Sequence, residues 1–263
     1  GSRTKKISKI YEKFLKKFTN NIILMSLESA ELAKISINCF LMSNVTTTNT
    51  LSEICEQIGA DWEDIAYSLK LDKRIGKYAY LKPGLGLSGG NLERDLTTII
   101  NISKKYGTYE NLFNSWLENS HYRKNWVFNI LYDLILCKIN NPTISIWGLT
   151  YKENTNSIKN SPAVDLLLKI KHHNIKVFDP VIKEIKVNSF NIISHENLSE
   201  SLKDSDVLCV MTNWDIFKKK EAIKALNKMK KKIIIDPLCV LGKDINLQKF
   251  KHIYMGSKYD SNS

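Results

Sequence analysis

The second half of the chain alternates short apolar segments with helical ones, and this alternation constrains the fold more than any other feature. Strand-like segments lie at 143–149, 175–178, 207–211, 233–235 and 252–254, and helical patterns lie between them at 161–171, 198–202 and 222–229. Alternating strands and helices form an open, mostly parallel, Rossmann-like sheet, which binds ligands at the carboxyl ends of its strands. We therefore expect an α/β fold.

The first half has a helical pattern, and one long helix dominates it. Apolar residues recur at intervals of three and four from Ala30 to Ile58, although residues 45–50 are poor helix formers. Further helices are predicted at 5–18, from 62 onward, at 92–105 and at 109–139. The run Asn140-Asn141-Pro142 is the clearest break. We place a domain boundary there, between a helical domain (1–140) and a sheet domain (141–263).

Composition narrows the classes of function. No apolar run reaches the roughly 18 residues of a membrane span, and no signal peptide is visible. The net charge of +12 favours anionic ligands such as nucleotide phosphates. The basic runs at 218–220 and 228–232 lack the interleaved aromatic residues of a nucleic-acid groove. We expect neither a membrane nor a nucleic acid as partner.

The 5 cysteines are scattered and odd in number. All but Cys239 lie in apolar helix or strand patterns, so buried thiols are expected rather than a disulfide frame or a metal site. The expected compartment is a reducing cytoplasm. The cysteines are Cys39, Cys55, Cys137, Cys209 and Cys239.

A glycine-rich loop at 83–95 is the strongest functional feature. Its residues read Pro-Gly-Leu-Gly-Leu-Ser-Gly-Gly-Asn-Leu-Glu-Arg-Asp, and a helical pattern follows. Clustered glycine lets the backbone approach a ligand closely, and a helix N-terminus attracts anions. Gly84-x-Gly86-x-x-Gly89 also spells the dinucleotide fingerprint, but that fingerprint needs a strand directly before it, and here helices lie on both sides. A structural turn without a ligand is a further alternative to a substrate loop.

The same loop resembles the active-site signature of the UDP-glucose/GDP-mannose dehydrogenase family, Pro-Gly-x-Gly-(aromatic)-Gly-Gly-x-Cys-x-Pro-Lys-Asp. In that family the cysteine attacks the aldehyde made by the first oxidation. Asn91 stands at the position of that cysteine. Ser88, Glu93 and Arg94 replace a glycine, the proline and the lysine. The resemblance therefore implies an active-site loop that has lost its nucleophile.

The segment 30–41 is similar to the family's central helix, whose lysine and asparagine line the active site. Lys34 and Asn38 occupy those positions, and residues four apart share a helix face. A buried ammonium and amide suit the positioning of a water and a developing oxyanion. Asp95 corresponds to the family's catalytic aspartate. Because this helix makes much of the family's dimer contact, a homodimer through the long helix is implied.

The resemblance also implies contacts with substrate and cofactor. Arg74 corresponds to an arginine that reaches a nucleotide sugar, commonly the one in the partner subunit. Lys152 lies in a loop similar to the family's second motif and should meet the sugar or its phosphates. Lys159 in that loop replaces an arginine and is the candidate cofactor contact. Leu238 stands where the family has another arginine. The implied substrate contacts are Arg74, Tyr80, Gly86, Gly89 and Lys152.

The resemblance runs from about residue 8 to 256 and implies oxidation of the C6 alcohol of a UDP- or GDP-linked sugar with NAD. The family's N-terminal NAD-binding domain has no counterpart here. We expect an excised C-terminal part of a longer protein that is inactive alone, with Gly1-Ser2 as a cloning scar. Because the amide of Asn91 is not a nucleophile, we expect the oxidation to stop at the aldehyde. The alternative is a non-catalytic, dimerising module that binds nucleotide sugars.

Overall fold

The first half is helical, as predicted. The structure is a computed structural model, and it describes residues 1–4, 6–187, 190–243 and 249–259. The helices of this half are α1 (Lys9–Leu15), α2 (Leu27–Ile58), α3 (Trp62–Leu71), α4 (Leu92–Tyr106), α5 (Asn111–Lys124) and α6 (Trp126–Leu131), followed by a π-helical turn (Tyr132–Leu136).

The second half is a five-stranded sheet with the order β2-β1-β5-β6-β7, in which every neighbouring pair is parallel. This confirms the predicted α/β sheet. Its elements are β1 (Thr143–Trp147), α7 (Pro162–Ile170), β2 (Asn174–Phe178), β3 (Glu184–Val187), β4 (Phe190–Ile193), α8 (Leu198–Leu202), β5 (Val207–Val210), a 3-10 turn (Asp215–Lys218), α9 (Lys220–Ala225), a second 3-10 turn (Leu226–Lys228), β6 (Ile233–Ile235) and β7 (Lys251–Ile253). The antiparallel hairpin β3–β4 was not predicted.

Helix α2 passes through its poor helix formers without a break. Ser26 caps its start by accepting a hydrogen bond from the Ser29 amide at 3.2 Å, and Gly59 ends it in the left-handed region at φ 82°. Within the weak stretch, the Thr46 hydroxyl donates to the Met42 carbonyl at 2.8 Å. A side-chain cap at the start, a backbone cap at the end and hydroxyls that bond back one turn keep this segment helical.

Two predicted helices are longer than the observed ones. The predicted helix at 5–18 is confined to α1, which buries none of its residues and so gains little from packing. The predicted helix at 109–139 is divided at Asn125, which ends α5 and precedes α6. The division lets Trp126 turn inward, where its indole nitrogen donates to Glu56 at 2.9 Å.

The core beneath the sheet continues across the predicted domain boundary. Val127, Leu131 and Ile135 are fully buried and belong to the same apolar cluster as the strand residues Ile144 and Ile146. Helix α6 and the turn after it therefore pack on the sheet, although they precede Pro142. The boundary at residue 140 stays a prediction.

The cysteine prediction is correct for Cys55 and Cys209, which are buried, but wrong for Cys137, which is exposed. Cys137 directly follows the π-helical turn, where the chain leaves the sheet core.

In the described part of the chain, no helix is long and apolar enough to cross a membrane. Nor do the described residues group three or more His, Cys, Asp or Glu side chains that could hold a metal ion.

Candidate functional site

A cleft of about 660 Å³ lies between the two halves, along the glycine loop. One wall comes from α2, with Lys34 and Asn38. The opposite wall comes from the segments 151–153 and 211–213, which follow β1 and β5. The cleft therefore opens at the carboxyl ends of parallel strands, where the fold class places ligands.

Two leucines hold the glycine loop between the halves. Leu85 is buried in the cluster beneath the sheet, whereas Leu87 is buried in a second cluster with Met42 of α2 and Leu96 of α4. Alternate side chains of the loop thus enter two different cores. The loop belongs to both halves, and its backbone is exposed to the cleft between them.

The glycines of this loop are required by close contacts with the protein itself. Gly86 has φ 72°, and a Cβ there would lie 2.4 Å from the Ser120 carbonyl oxygen. Gly89 has φ 75°, and a Cβ there would lie 2.7 Å from the Tyr151 ring. L-residues rarely adopt such φ values, so a side chain at either position is both strained and obstructed.

The loop does not fit the role of a dinucleotide-binding turn. Residues 72–91 before α4 include no strand, whereas the fingerprint begins directly after one. Moreover, the space beside Gly86 and Gly89 is filled by Ser120 and Tyr151 rather than left open for a pyrophosphate. This loop therefore provides no site of that type for NAD.

Polar side chains that sequence reasoning missed fix the loop's backbone. The Gly84 amide donates to Asn49 Oδ1 at 2.8 Å, and the Leu87 amide donates to Ser120 Oγ at 2.7 Å. Asn49 and Ser120 are both buried. Only the residue type of Asn49 and Ser120 could have indicated this role in the sequence, since a polar residue on an apolar helix face must find a buried partner.

Asp95 lies at the N-terminal turn of α4 and meets the two predicted side chains of α2. It is 9% exposed and accepts a hydrogen bond from Asn38 Nδ2 at 2.6 Å, while Lys34 Nζ lies 4.0 Å from the same carboxylate oxygen. Burial alone would raise the pKa of Asp95, but the Asn38 hydrogen bond, the Arg94 guanidinium and the Lys34 charge together hold it below its usual value. The group is therefore an ionised carboxylate at neutral pH.

The Lys34 side chain lines the cleft but is 68% exposed, so its ammonium is solvated rather than buried as expected. It lies on the solvent side of Asp95, and the described chain does not cover it. Only Asn38 of the pair on α2 matches the expected burial.

Asn91 and Arg94 also border the cleft. Asn91 occupies the N-cap position of α4, yet its exposed side chain makes no capping hydrogen bond. The Arg94 guanidinium lies 3.1 Å from Asp95 Oδ1 and is mostly exposed. Burial first and the charge of Asp95 second raise the pKa of the Cys39 thiol, so its thiolate form is suppressed.

The remaining predicted residues divide between the cleft and the surface. Tyr80 and Lys152 line the cleft together with Gly86 and Gly89. Lys159 lies beside the loop, 3.1 Å from where a Cβ on Gly90 would be, but it does not line the cleft. Arg74 is 90% exposed, pairs with Asp72 at 2.6 Å and lies outside the cleft.

The charged residues described along the cleft are mostly cationic. Lys34, Lys82, Arg94 and Lys152 face it, against the carboxylates Asp95 and Glu153. Such an excess of positive charge attracts a polyanion such as a nucleoside diphosphate.

Two family models match the chain in order. The UDP-glucose/GDP-mannose dehydrogenase family, central domain, matches residues 28–121, and the same family's UDP binding domain matches residues 145–243. The chain belongs to this family. The first match contains Lys34, Asn38, Asn91 and Asp95, and the second contains Lys152.

Curated relatives are longer than this chain. It is 29% identical over 240 residues to the UDP-glucose 6-dehydrogenase TuaD of Bacillus subtilis, a match that covers 90% of the chain and 52% of the relative. It is 27% identical over 267 residues to the UDP-glucose 6-dehydrogenase of Rickettsia bellii, covering 98% of the chain and 61% of the relative. The chain thus spans about half the length of these relatives.

Solved structures of the family share the fold. The UDP-D-ManNAc dehydrogenase of Pyrococcus horikoshii superposes with a TM-score of 0.78 at 21% identity, covering 94% of this chain and 56% of that one. A UDP-glucose dehydrogenase from Pyrobaculum islandicum superposes with a TM-score of 0.77 at 20% identity, covering 96% of this chain and 57% of that one. At such identities the likeness establishes the architecture of helical part and sheet.

Proposed function

We propose that this chain carries the substrate side of an NAD-dependent nucleotide-sugar dehydrogenase that oxidises the C6 alcohol of a UDP- or GDP-linked sugar. The observation that carries the proposal is a single cleft in which the Asn38–Asp95–Lys34 group adjoins the glycine loop and an excess of cations. Named relatives include UDP-glucose and UDP-D-ManNAc dehydrogenases, which supports a sugar nucleotide as ligand.

The charged side chains of the cleft have two separate functions in this proposal, phosphate binding and proton transfer. Lys152 and Lys82 line the cleft and neutralise the phosphates of the ligand. Asp95, ionised and 4.0 Å from the Lys34 ammonium, is placed to accept the proton that the sugar hydroxyl loses during oxidation. The amide of Asn38 keeps the carboxylate oriented through its hydrogen bond at 2.6 Å.

The oxidant in this proposal is NAD. Since the glycine loop is not a dinucleotide turn, we assign the cofactor to a part of the longer protein outside this chain, and we derive no hydride step from the described residues. On this proposal the chain by itself binds the sugar nucleotide but does not oxidise it.

The product is proposed to be an aldehyde. Asn91 takes the place of the family's cysteine, and its amide nitrogen cannot form the covalent adduct through which a second oxidation proceeds. A longer protein that contains this chain and an NAD-binding domain should yield one NADH per sugar. Two NADH per sugar, with a carboxylic acid as product, would show the aldehyde proposal to be wrong.

Thermal melting of this chain tests the ligand. UDP-glucose, UDP-N-acetylglucosamine, UDP-galactose, GDP-mannose and NAD are compared, each at the same concentration. A ligand at 100 times its Kd adds about 2.7 kcal/mol, which raises the Tm of a protein of this size by roughly 5–10 °C. We expect such a rise with one sugar nucleotide, none with NAD, and loss of the rise in Lys152→Ala. No rise with any sugar nucleotide would refute the proposed function.

A non-catalytic, dimerising module that holds a nucleotide sugar is the second candidate. The observation that favours it is the exposed Asn91 at the loop, together with Leu238 lining the cleft where the family has an arginine. Binding without any NADH formation in the longer protein would select this candidate. In either case we propose a homodimer through α2 and a cytoplasmic location.

A further inference from the structure

We propose that Asn160 is a positioning residue that locks the glycine loop into its ligand-binding shape from the opposite half of the chain. The inference rests on the proposed nucleotide-sugar site, because it concerns how that site is assembled. Asn160 Nδ2 donates to two carbonyls of the loop, those of Leu87 and Gly89, each at 3.2 Å.

The amide of Asn160 is itself held on both sides. The two N–H bonds of this nitrogen also serve the Glu93 carboxylate on the first turn of α4, so three acceptors share two protons, and the amide oxygen accepts from Lys124 Nζ at 2.5 Å. Lys124 is nearly buried and lies 3.9 Å from the same carboxylate. Hydrogen bonds to charged partners are stronger than neutral ones, so the amide plane is fixed rather than free to rotate.

The backbone at Asn160 serves the same arrangement. Its φ of 51° lies in the left-handed region, which asparagine tolerates better than most residues. This conformation occurs just before Ser161, which caps α7 by accepting from the Ala163 amide at 3.3 Å. The turn that starts α7 therefore also aims the amide at the loop.

Locking matters because the loop is rich in glycine. Glycine loses more conformational freedom than any other residue when it is ordered, so an unanchored loop populates many shapes. A ligand that needs one shape binds more weakly in proportion to the population of that shape. By resemblance, Glu93 also occupies the position of the family's proline, so a polar contact replaces a rigid ring.

Amide hydrogen exchange of the ligand-free chain tests the lock directly. Asn160→Asp removes the donor and places a carboxylate against Glu93, whereas Asn160→Gly removes the amide but keeps the left-handed backbone favourable. Because both variants remove the hydrogen bonds that anchor the loop, we expect the amides of residues 84–91 to exchange roughly tenfold faster in both. Amides of β1 and α2 should be unchanged.

The matched control is Asn154→Asp. Asn154 is also left-handed, at φ 57°, and lies in the same loop with its side chain exposed. Its substitution should leave the exchange of residues 84–91 at the wild-type rate. Unchanged exchange in both Asn160 variants, or equally faster exchange throughout the chain, would overturn the proposal.

Exchanging the donor and the acceptor of the Asn160–Glu93 pair tests whether Asn160 positions the loop or only stabilises the fold. In Glu93→Gln/Asn160→Asp the pair between the halves can form again, but the two loop carbonyls have lost their donor. We expect resistance to urea to recover while loop exchange stays fast and affinity for the bound sugar nucleotide stays about tenfold lower. If resistance to urea, loop exchange and affinity all returned to their wild-type values, the contact of Asn160 would serve only to join the two halves.

The two proposals fail in different ways. If the wild-type chain binds none of the tested sugar nucleotides, the proposed function is wrong, yet the exchange comparison still decides whether Asn160 locks the loop.

Discussion

Asp95 keeps its charge in a nearly buried position because an amide and two cations surround it. Its folded-state pKa lies below the unfolded value near 3.8, so the carboxylate stabilises the fold at every pH above that value. This contribution is lost as the pH falls through the folded pKa.

We predict that Asp95→Asn lowers the free energy of unfolding at pH 6, and that it lowers it by less at pH 3. The free-energy difference between wild type and variant, from urea unfolding at a series of pH values, should shrink as the solution becomes more acidic. A difference that stays constant between pH 6 and pH 3 would contradict the ionised state of Asp95.

Gly89→Ala should destabilise the protein by about 2 kcal/mol or more, since a left-handed alanine is strained and its methyl meets the Tyr151 ring 2.7 Å away. Gly84→Ala is the matched control in the same loop. Its new methyl would meet no atom within 4 Å, and Gly84 has no positive φ. We expect the control to change stability by less than about 0.5 kcal/mol in urea unfolding. Equal effects of the two substitutions would argue against close packing at Gly89.

The sequence predicts the side chains on α2 and α4 that meet at the cleft, but not the residues that hold the loop. Spacing places Lys34 and Asn38 on one face, and the loop motif supplies Asp95. Ser120 and Asn160 act on the loop from 33 and 73 residues away in the chain. No local periodicity reports such a distant contact.

Glu56 joins three elements from its buried place on α2. Its carboxylate accepts from the Trp126 indole and from the Gly256 amide, each at 2.9 Å, and lies 3.4 Å from Arg123. Arg123 is 1% exposed and also lies 3.4 Å from Glu53. A buried cation on α5 thus lies between the buried carboxylate of Glu56 and the partly exposed one of Glu53. Removing one partner of a buried ion pair is strongly destabilising.

Arg123→Met should cost about 3–5 kcal/mol, because it leaves a buried carboxylate without its cation. The control Arg74→Met breaks an exposed pair with Asp72 and should cost less than about 1 kcal/mol. Urea unfolding monitored by tryptophan fluorescence measures both. In Glu56→Gln/Arg123→Met part of the loss should be regained, and no regain would show that the two charges are not coupled.

Among the elements, α2 could be predicted in full and the hairpin β3–β4 could not. The periodicity of α2 outweighs its weak stretch, and hydroxyl groups there bond within the helix. The hairpin is short, and among its described residues, 184–187 and 190–193, only Ile185 is buried. Its apolar residues pack on the core beneath the sheet. The sequence of a four-residue strand does not indicate such a tertiary contact.

At the scale of the whole molecule, one face of α2 has no partner within the described chain. Its exposed apolar residues recur at steps that fit a single helical stripe. Phe40, the most exposed of them, has 76% of its surface open. The stripe consists of Ile37, Phe40, Leu51, Ile54 and Ile58.

We predict that the chain is a dimer at micromolar concentration and that Phe40→Glu converts it to a monomer, because a carboxylate would be buried at the centre of the contact. Tyr106→Glu, on the exposed end of α4, is the control and should stay dimeric. Light scattering after size-exclusion chromatography gives the mass. A monomeric wild type would refute the dimer.

The sequence predicts the helical half and the sheet half separately, and the relation between them follows only from the structure. Leu85 and Leu87 are two residues apart and have the same apolar character, yet they enter different cores. Their sequence does not distinguish the two destinations. The cleft arises from that division.

The carboxylate of Glu56 has a consequence for how the protein is made. Its backbone partner at Gly256 lies 200 residues later in the chain, and at 5–20 residues per second a ribosome needs about 10–40 s to reach it. During that time α2 can form, but its buried acid lacks one of its donors. The helical half is therefore completed late, after most of the sheet has emerged, and α2 lacks this contact throughout that interval.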